Sequence, residues 1–194
     1  MSPRSLARLL AGTRALPPRV AAFQARAMLR AWRLGDDWAL ESSTRPRDVA
    51  ELLRLARGRR SVVELGTAAG WTAGALVLAD RGRRVASFDP VVRDHREAYL
   101  SLLPARARDR LELIRAPGHE ARGQDVELLF VDSSHDRDAT VAEVRAWLPR
   151  LAPGALLALH DHANPAYPGV AEAIAELGLG GRPHAGLWLW EAAR

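Results

Sequence analysis

"SVVELGTAAGWTAGALVLADRGRRVASFDP", residues 61–90, contains the pattern that decides the fold. Its first five residues form a short run with the β-branched pair Val62-Val63, followed at once by a glycine turn, as a buried strand should be. TAGALVLADR (72–81) then predicts a helix ended by Gly82, and RVASF (84–88) a second strand. Strand, turn, helix and strand make one right-handed crossover between parallel neighbours, which no tight hairpin can join.

The alternation continues in both directions. DVAELLRLAR (48–57) predicts a helix ahead of this unit. Beyond it, a helix is expected in RDHREAYLSLL (93–103), with strands at LELI (111–114) and VELLFV (126–131). A helix in ATVAEVRAWLPRL (139–151) leads through the Pro153-Gly154 turn to a strand in ALLALH (155–160). GVAEAIAEL (169–177) is a last helix and LWLWEA (187–192) a last strand, with a short partner near GRPHA (181–185). The expectation is a Rossmann-like, doubly wound α/β domain over residues 46–194, its mostly parallel sheet covered by helices on both faces.

Residues 1–45 are expected to form an N-terminal helical extension or cap, two short amphipathic helices broken at Pro17 and Pro18. Val20, Phe23, Ala27, Ala31 and Leu34 share one helical face, and Arg19, Arg26, Arg30 and Arg33 another. Such helices cap a domain, pair with a second copy in a homodimer, or lie on an anionic membrane surface.

With 194 residues, 48% of them hydrophobic, the chain suits one packed domain with an extension. The absence of cysteine excludes a disulfide framework, a thiolate metal site and a cysteine nucleophile. A net charge of +5 invites a nucleic-acid partner, but residues 1–40 hold seven Arg against Asp36 and Asp37 and so carry all of it. The remainder balances 21 Arg against 21 acids, so no nucleic-acid partner is expected. Every basic residue is arginine; there is no lysine. No run approaches 18 apolar residues and no signal-peptide segment opens the chain, so a cytoplasmic protein without a membrane span is expected.

Ligands of open α/β sheets bind outside the carboxyl ends of the strands. Glu64, Asp89, Asp132 and the His160-Asp161 pair all fall at such ends. In ELGTAAG (64–70), Gly66 and Gly70 let a ligand approach the backbone, and the following helix offers free N–H groups. The third glycine of the dinucleotide fingerprint and the P-loop lysine are both missing. Alone, the turn implies a nucleotide-like cofactor or a plain strand-to-helix connection. Asp89 stands where a carboxylate can accept both hydroxyls of a ribose, or where a loop aspartate is simply solvated.

Together these features resemble the class I S-adenosylmethionine-dependent methyltransferases, over residues 46–194. The stretch LLFVDSSHDRDATVAEVRAWLPRLAPGALLALHDHANPAYPGVAEAI (128–174) is similar to small-molecule O-methyltransferases that carry D-x-x-H, a Trp-containing helix, a Pro-Gly turn and a His-Asp pair in that order. The resemblance implies S-adenosylmethionine as cofactor, with Glu64, Gly66, Thr67 and Gly70 at its methionine part and Asp89 at its ribose. Many relatives carry an acidic residue after the third strand; here the segment is APGHEA (116–121), which leaves His119 to meet the adenine.

The resemblance further implies methyl transfer to a hydroxyl of a small metabolite, assisted by a divalent cation such as Mg or Mn. Catechol-type relatives place their metal ligands where this chain has Asp132, His160 and Asp161; His162 next door is either the ligating imidazole instead of His160 or a group in the shell behind the ligands. Histidine in the donor set shifts preference from a purely oxygen cage toward Mn, Fe or Zn. The same relatives use a lysine base three residues after the first metal-binding aspartate, and at that offset stands His135, whose imidazole titrates near neutrality. His135 and Asp132 are therefore the expected catalytic pair. The plainer alternative has Ser133, Ser134 or Asp136 capping a helix while His135 faces solvent and the strand-end polar groups only bond to loops. Two other functions stay open: a cofactor-binding scaffold without chemistry, and a metal-dependent hydrolase using His135, His160, Asp161 and His162. Trp32, Trp38, Trp71 and Tyr167 are candidates for an acceptor pocket by position.

Overall fold

A computed structural model describes residues 2–193. The chain opens with helices α1 (Pro3–Gly12), α2 (Pro18–Leu34), α3 (Asp37–Ser42) and α4 (Pro46–Leu55). Strand β1 (Ser61–Leu65), α5 (Trp71–Ala79) and β2 (Arg84–Phe88) form the crossover of residues 61–90. Short helices α6 (Arg96–Leu100) and α7 (Ala105–Arg108) lead to β3 (Leu111–Ile114) and β4 (Val126–Val131). Helix α8 (Arg137–Trp147), β5 (Leu151–His160), α9 (Pro168–Leu177), β6 (Arg182–His184) and β7 (Leu187–Glu191) complete the order.

The seven strands form one sheet in the order β3-β2-β1-β4-β5-β7-β6. The first five are parallel, and β7 runs antiparallel between β5 and β6. Leu65 lies opposite Phe88 on one side and Val131 on the other, and Val131 opposite Leu159. That register levels the carboxyl ends of β2, β1, β4 and β5, so residues 66, 89, 132 and 160 emerge along one edge. The strand order reverses between β1 and β4, which is where a doubly wound sheet opens its crevice.

Two apolar layers hold this edge in place. On one face, Val20 and Phe23 of α2, Leu52 of α4 and Leu76 of α5 pack with Leu128 and Phe130. On the other, Val144 and Trp147 of α8 and Val170 of α9 pack with Phe88 and Leu157. Trp147 is fully buried; its indole N–H donates to the Gly118 carbonyl at 2.7 Å and its ring meets Phe88 edge-on at 5.4 Å. A third cluster joins Leu6, Met28 and Leu40 of the N-terminal helices to Trp71 and Tyr99. Among the described residues no helix is long and apolar enough to cross a membrane.

The expected break at Pro17 and Pro18 is present: α1 and the short turn Thr13–Ala15 end before it, Pro17 is the N-cap and Pro18 the first residue of α2, where a missing N–H costs nothing. Helix α2 is longer than expected, running 17 residues to Gly35 at φ 69°. Three other local expectations are corrected. Helix α5 ends at Ala79, and Asp80, not Gly82, breaks it by turning extended, its carboxylate accepting from Gly82 N at 2.7 Å. Only Arg96–Leu100 of the 93–103 stretch joins the predicted helix there. Strand β5 begins at Leu151 and passes through Pro153-Gly154, with a register shift opposite Val126–Leu128 absorbing the irregularity. Helix α3 had no expectation; Asp36 caps it by accepting from Ala39 N at 3.0 Å.

Candidate active site

The glycine turn is shaped by what it touches. Gly66 has φ 99°, and a Cβ there would fall 2.0 Å from the carbonyl oxygen of Asp132. Only glycine lets the ends of β1 and β4 meet so closely. Gly66 and Thr67 donate their N–H groups to the Phe88 carbonyl, and Gly70 at φ 78° caps α5. Five non-glycine residues among those described have positive φ: Ala68, Asp125, His135, Asp161 and Ala185. All but Asp125 line one cavity of about 800 Å³ at this sheet edge, so backbone strain is concentrated at the site.

That cavity is walled by Gly66–Ala69, by the segment joining α3 to α4, and by the loop after β5. Asp132, His135, His160 and Asp161 gather inside it, one candidate ligand atom of each lying within 4.8 Å of the others. His160 Nδ1 is 3.2 Å from Asp132 Oδ1 and 3.1 Å from Asp161 Oδ2. His135 Nε2 makes the same two contacts at 3.1 and 3.2 Å. Two imidazoles thus converge on two carboxylates.

Electrostatics follow from this crossing. Burial disfavours the charged ring of His135, but Asp132 and Asp161 outweigh it and push its pKa up to about 9. His160 feels the same burial against Asp132, Asp161 and Asp48, and rises to about 12. Burial would raise both aspartates; the two imidazoles, with Thr44 on Asp132 and Asn164 on Asp161, hold them well below the usual carboxylate range. At neutral pH two imidazoliums therefore balance two carboxylates.

Asp136, one of the three caps the sequence offered, caps α8 by accepting from Ala139 N at 2.9 Å, but His135 does not face solvent. His135 is largely buried and stacks on Tyr167 with ring centroids 4.2 Å apart. His162 lines the cavity outside the four-residue cluster, its Nδ1 buried without a hydrogen-bond partner among the described residues.

The other predicted residues take varied places. Glu64 lies inside the sheet beneath the turn, where burial lifts its pKa to about 8 against the opposing Ser87 hydroxyl bond. It is a neutral acid at pH 7, and Thr67 joins it through Ser87 at 2.7 Å. Asp89 accepts from Ala68 N at 2.8 Å and Arg96 at 2.9 Å on Oδ2, and from Val91 N at 2.8 Å on Oδ1. Oδ2 thus takes two donors and Oδ1 one, and Asp89 is not among the cavity residues. His119 is exposed beyond β3 and is not among the cavity residues. Trp38, Trp71 and Tyr167 line the cavity; Trp32 does not.

Two residues that sequence reasoning missed complete the site. Thr44 donates to Asp132 Oδ2 at 2.8 Å and receives a bond from Thr72 at 3.1 Å. Asp48 approaches His160 Nε2 at 3.7 Å. Asp48 sits in the first turn of α4, where an acid reads as a partner of the helix dipole, and nothing in its spacing points to a strand end 112 residues away.

Residues 63–162, just over half of the chain, match the family model described as "Methyltransferase domain", and the chain belongs to that family. It is a methyltransferase with the Rossmann-like fold of class I, a class for which S-adenosylmethionine is the methyl donor. Solved structures agree on the fold. A TDP-rhamnose 3'-O-methyltransferase of calicheamicin biosynthesis, CalS11, matches at 19% identity over 98% of this chain and 95% of its own, with a TM-score of 0.63. A methyltransferase from Geobacter sulfurreducens matches at 20% identity over 97% and 96%, with a TM-score of 0.64. The mycinamycin-pathway methyltransferase MycE, solved with Mg and S-adenosylhomocysteine, matches at 15% identity over 74% and 49%, with a TM-score of 0.55. No curated protein matches the chain in sequence.

The residues present fit both groups that this family and cluster imply. Trp71, at the start of α5, lines the cavity, and its buried indole N–H has no acceptor among the described residues. That donor and the free N–H groups of the helix start suit the carboxylate of an amino-acid-bearing cofactor. Asp132, Asp161 and His160 offer two carboxylates and an imidazole around one point, a donor set that suits a divalent ion and leaves His135 beside it.

Proposed function

We propose that this protein is an S-adenosylmethionine-dependent O-methyltransferase that uses a divalent cation to methylate a hydroxyl of a small metabolite. The observation that carries the reading is the convergence of His135 and His160 on Asp132 and Asp161 beside the glycine turn. When bound, the cofactor supplies an electrophilic methyl group and the cation supplies a Lewis acid that lowers the pKa of an acceptor hydroxyl.

Each residue then has a task. Gly66, Thr67 and Gly70 present backbone to the methionine part, and Asp89 offers Oδ1 to a ribose hydroxyl. Glu64, neutral and enclosed, holds the turn through Ser87 rather than touching the cofactor. Asp132, Asp161 and His160 are the cation ligands, with Asp48 behind His160. His135 is the candidate base. In the ion-free cluster it already carries a proton, so its role depends on positive charge at Asp132 and Asp161 replacing the charge it provides there. The N-terminal helices cap the cavity, as the placement of Trp38, Thr44 and Asp48 supports, and Tyr167 orients His135 by stacking.

CalS11 acts on a TDP-linked sugar according to its name, and a hydroxylated sugar derivative is a suitable first acceptor to try. The first test is calorimetric titration with S-adenosylhomocysteine. Binding is expected, and its absence up to millimolar ligand would overturn the proposal. Asp132→Ala and Asp161→Ala should then lose cation-dependent turnover by at least ~100-fold while retaining cofactor affinity. Equal loss of both would argue against a separate cation site.

A further inference from the structure

The far end of α5 borders a second cavity that the methyl-transfer site does not use. It has a volume of about 740 Å³ and lies between α2, the end of α5 and α7. Its floor is apolar: Phe23 and Ala107 are buried there, and Leu78 and Leu102 half-buried. Its rim is cationic: Arg19, Arg26, Arg81, Arg106 and Arg110 line it, and no acidic residue does.

These arginines are not alike. Arg110 is spent internally, donating to the carbonyls of Val77, Asp80, Arg83 and Arg106 and so closing the end of α5. The side chains of Arg19, Arg26, Arg81 and Arg106 have no hydrogen-bond or ion-pair partner among the described residues, and all four are exposed. Charge of one sign around a low-dielectric concavity concentrates the field and draws in a counter-ion. Guanidinium forks match the planar or tetrahedral oxygens of carboxylate and phosphate.

The shape narrows the occupant. A two-fold contact between copies would set these arginines against one another, which like-charge repulsion disfavours. A membrane surface calls for protruding apolar side chains, yet the exposed Trp32, Leu34, Val91 and Val92 lie elsewhere and the apolar atoms here are recessed. We infer that this groove binds a small amphiphilic anion, its apolar body on Phe23, Leu78 and Leu102 and its carboxylate or phosphate among Arg19, Arg26, Arg81 and Arg106. The site is independent of the methyl-transfer reading.

The probe is octyl phosphate below its micellar concentration, titrated calorimetrically into the full chain, with inorganic phosphate and octanol as parallel arms. Octyl phosphate is expected to bind at least ~10-fold more tightly than either arm, since several methylenes leave water at the floor. Its affinity should fall with added salt. The double variant Arg26→Glu/Arg106→Glu should weaken it by at least ~10-fold while leaving S-adenosylhomocysteine affinity unchanged. Should that variant fold poorly, Arg19→Glu/Arg81→Glu serves the same purpose, and the salt series on the unmodified protein stands by itself. Equal binding of inorganic and octyl phosphate, salt-independent binding, or no binding at millimolar probe would overturn the inference. Displacement of octyl phosphate by an acidic peptide at lower concentration would overturn it in favour of a protein partner.

Discussion

Gly66→Ala tests whether the glycine turn and Asp132, the proposed cation ligand, share one support. The added methyl carbon would sit 2.0 Å from the Asp132 carbonyl oxygen, 2.7 Å from its carbon and 3.0 Å from Ser133 Cα. All three are backbone atoms, so no rotamer change relieves the contact. The loops after β1 and β4 must part by about 1 Å, at an overpacking cost of ~1–3 kcal/mol. Holding alanine at φ 99° adds a further ~1–3 kcal/mol. For a chain of this length the sum of ~2–6 kcal/mol lowers the melting temperature by roughly 5–20 °C. Gly35→Ala is the matched control: its φ is 69°, but nothing lies within 4 Å of the new carbon. Only the left-handed conformation is penalised there, at ~1–2 kcal/mol. Thermal melts followed by circular dichroism should place Gly66→Ala clearly below Gly35→Ala. In the active enzyme, displacing Asp132 by about 1 Å should also cost ~100-fold in turnover. If the two variants melt within ~2 °C of each other, the contact between the turn and Asp132 does not constrain the fold.

Glu64 supplies a pH test. Its folded pKa of about 8 lies above the ordinary 4.5, so the stability it contributes is complete below about pH 4.5 and is lost as pH rises toward 8. Glu64→Gln cannot ionise and should lose less melting temperature between pH 5 and pH 8 than the wild type; parallel curves would show that the carboxyl is already ionised in the fold. Trp147→Phe removes the bond to the Gly118 carbonyl and leaves a small void, for ~2–3 kcal/mol in urea unfolding. A loss under ~0.5 kcal/mol would mean that water satisfies that carbonyl. Asp48→Asn should weaken Mn(II) binding by ~10–100-fold in paramagnetic titration, with S-adenosylhomocysteine affinity unchanged. Unaltered Mn(II) affinity would remove Asp48 from the site.

Much of the fold was legible because its signals are local. SVVEL, RVASF, VELLFV and LWLWEA are short apolar runs between turn residues, and each forms a strand. Counting strand ends also brought Asp132, His160 and Asp161 to one edge before any coordinates. Proline was a sound signal at Pro17-Pro18, where one helical run ends and α2 begins, and a misleading one at Pro153-Gly154, where a strand segment outside the ladder register takes it without loss. The contributions of Thr44 and Asp48 were hidden for another reason. Thr44, in the connection before α4, and Asp48, in its first turn, reach the site from 88 and 112 residues away through side-chain contacts that periodicity does not encode. His135 shows the limit from the other side: its offset from Asp132 was readable, while its charge, fixed by two carboxylates at once, required the geometry.

The bond from Thr44 to Asp132 has a consequence for how such an enzyme changes specificity over time. The segment that carries Trp38 and Glu41 along one wall of the cavity also holds the second oxygen of the central carboxylate, and Thr72 of α5 secures Thr44 in turn. This wall and the Asp132 carboxylate are thus tied at a single residue, Thr44. A chimera that exchanges residues 1–43 between homologues keeps this linkage, whereas one cut after residue 45 breaks it unless the donor brings its own hydroxyl. Recombination within this architecture should therefore favour junctions just before Thr44.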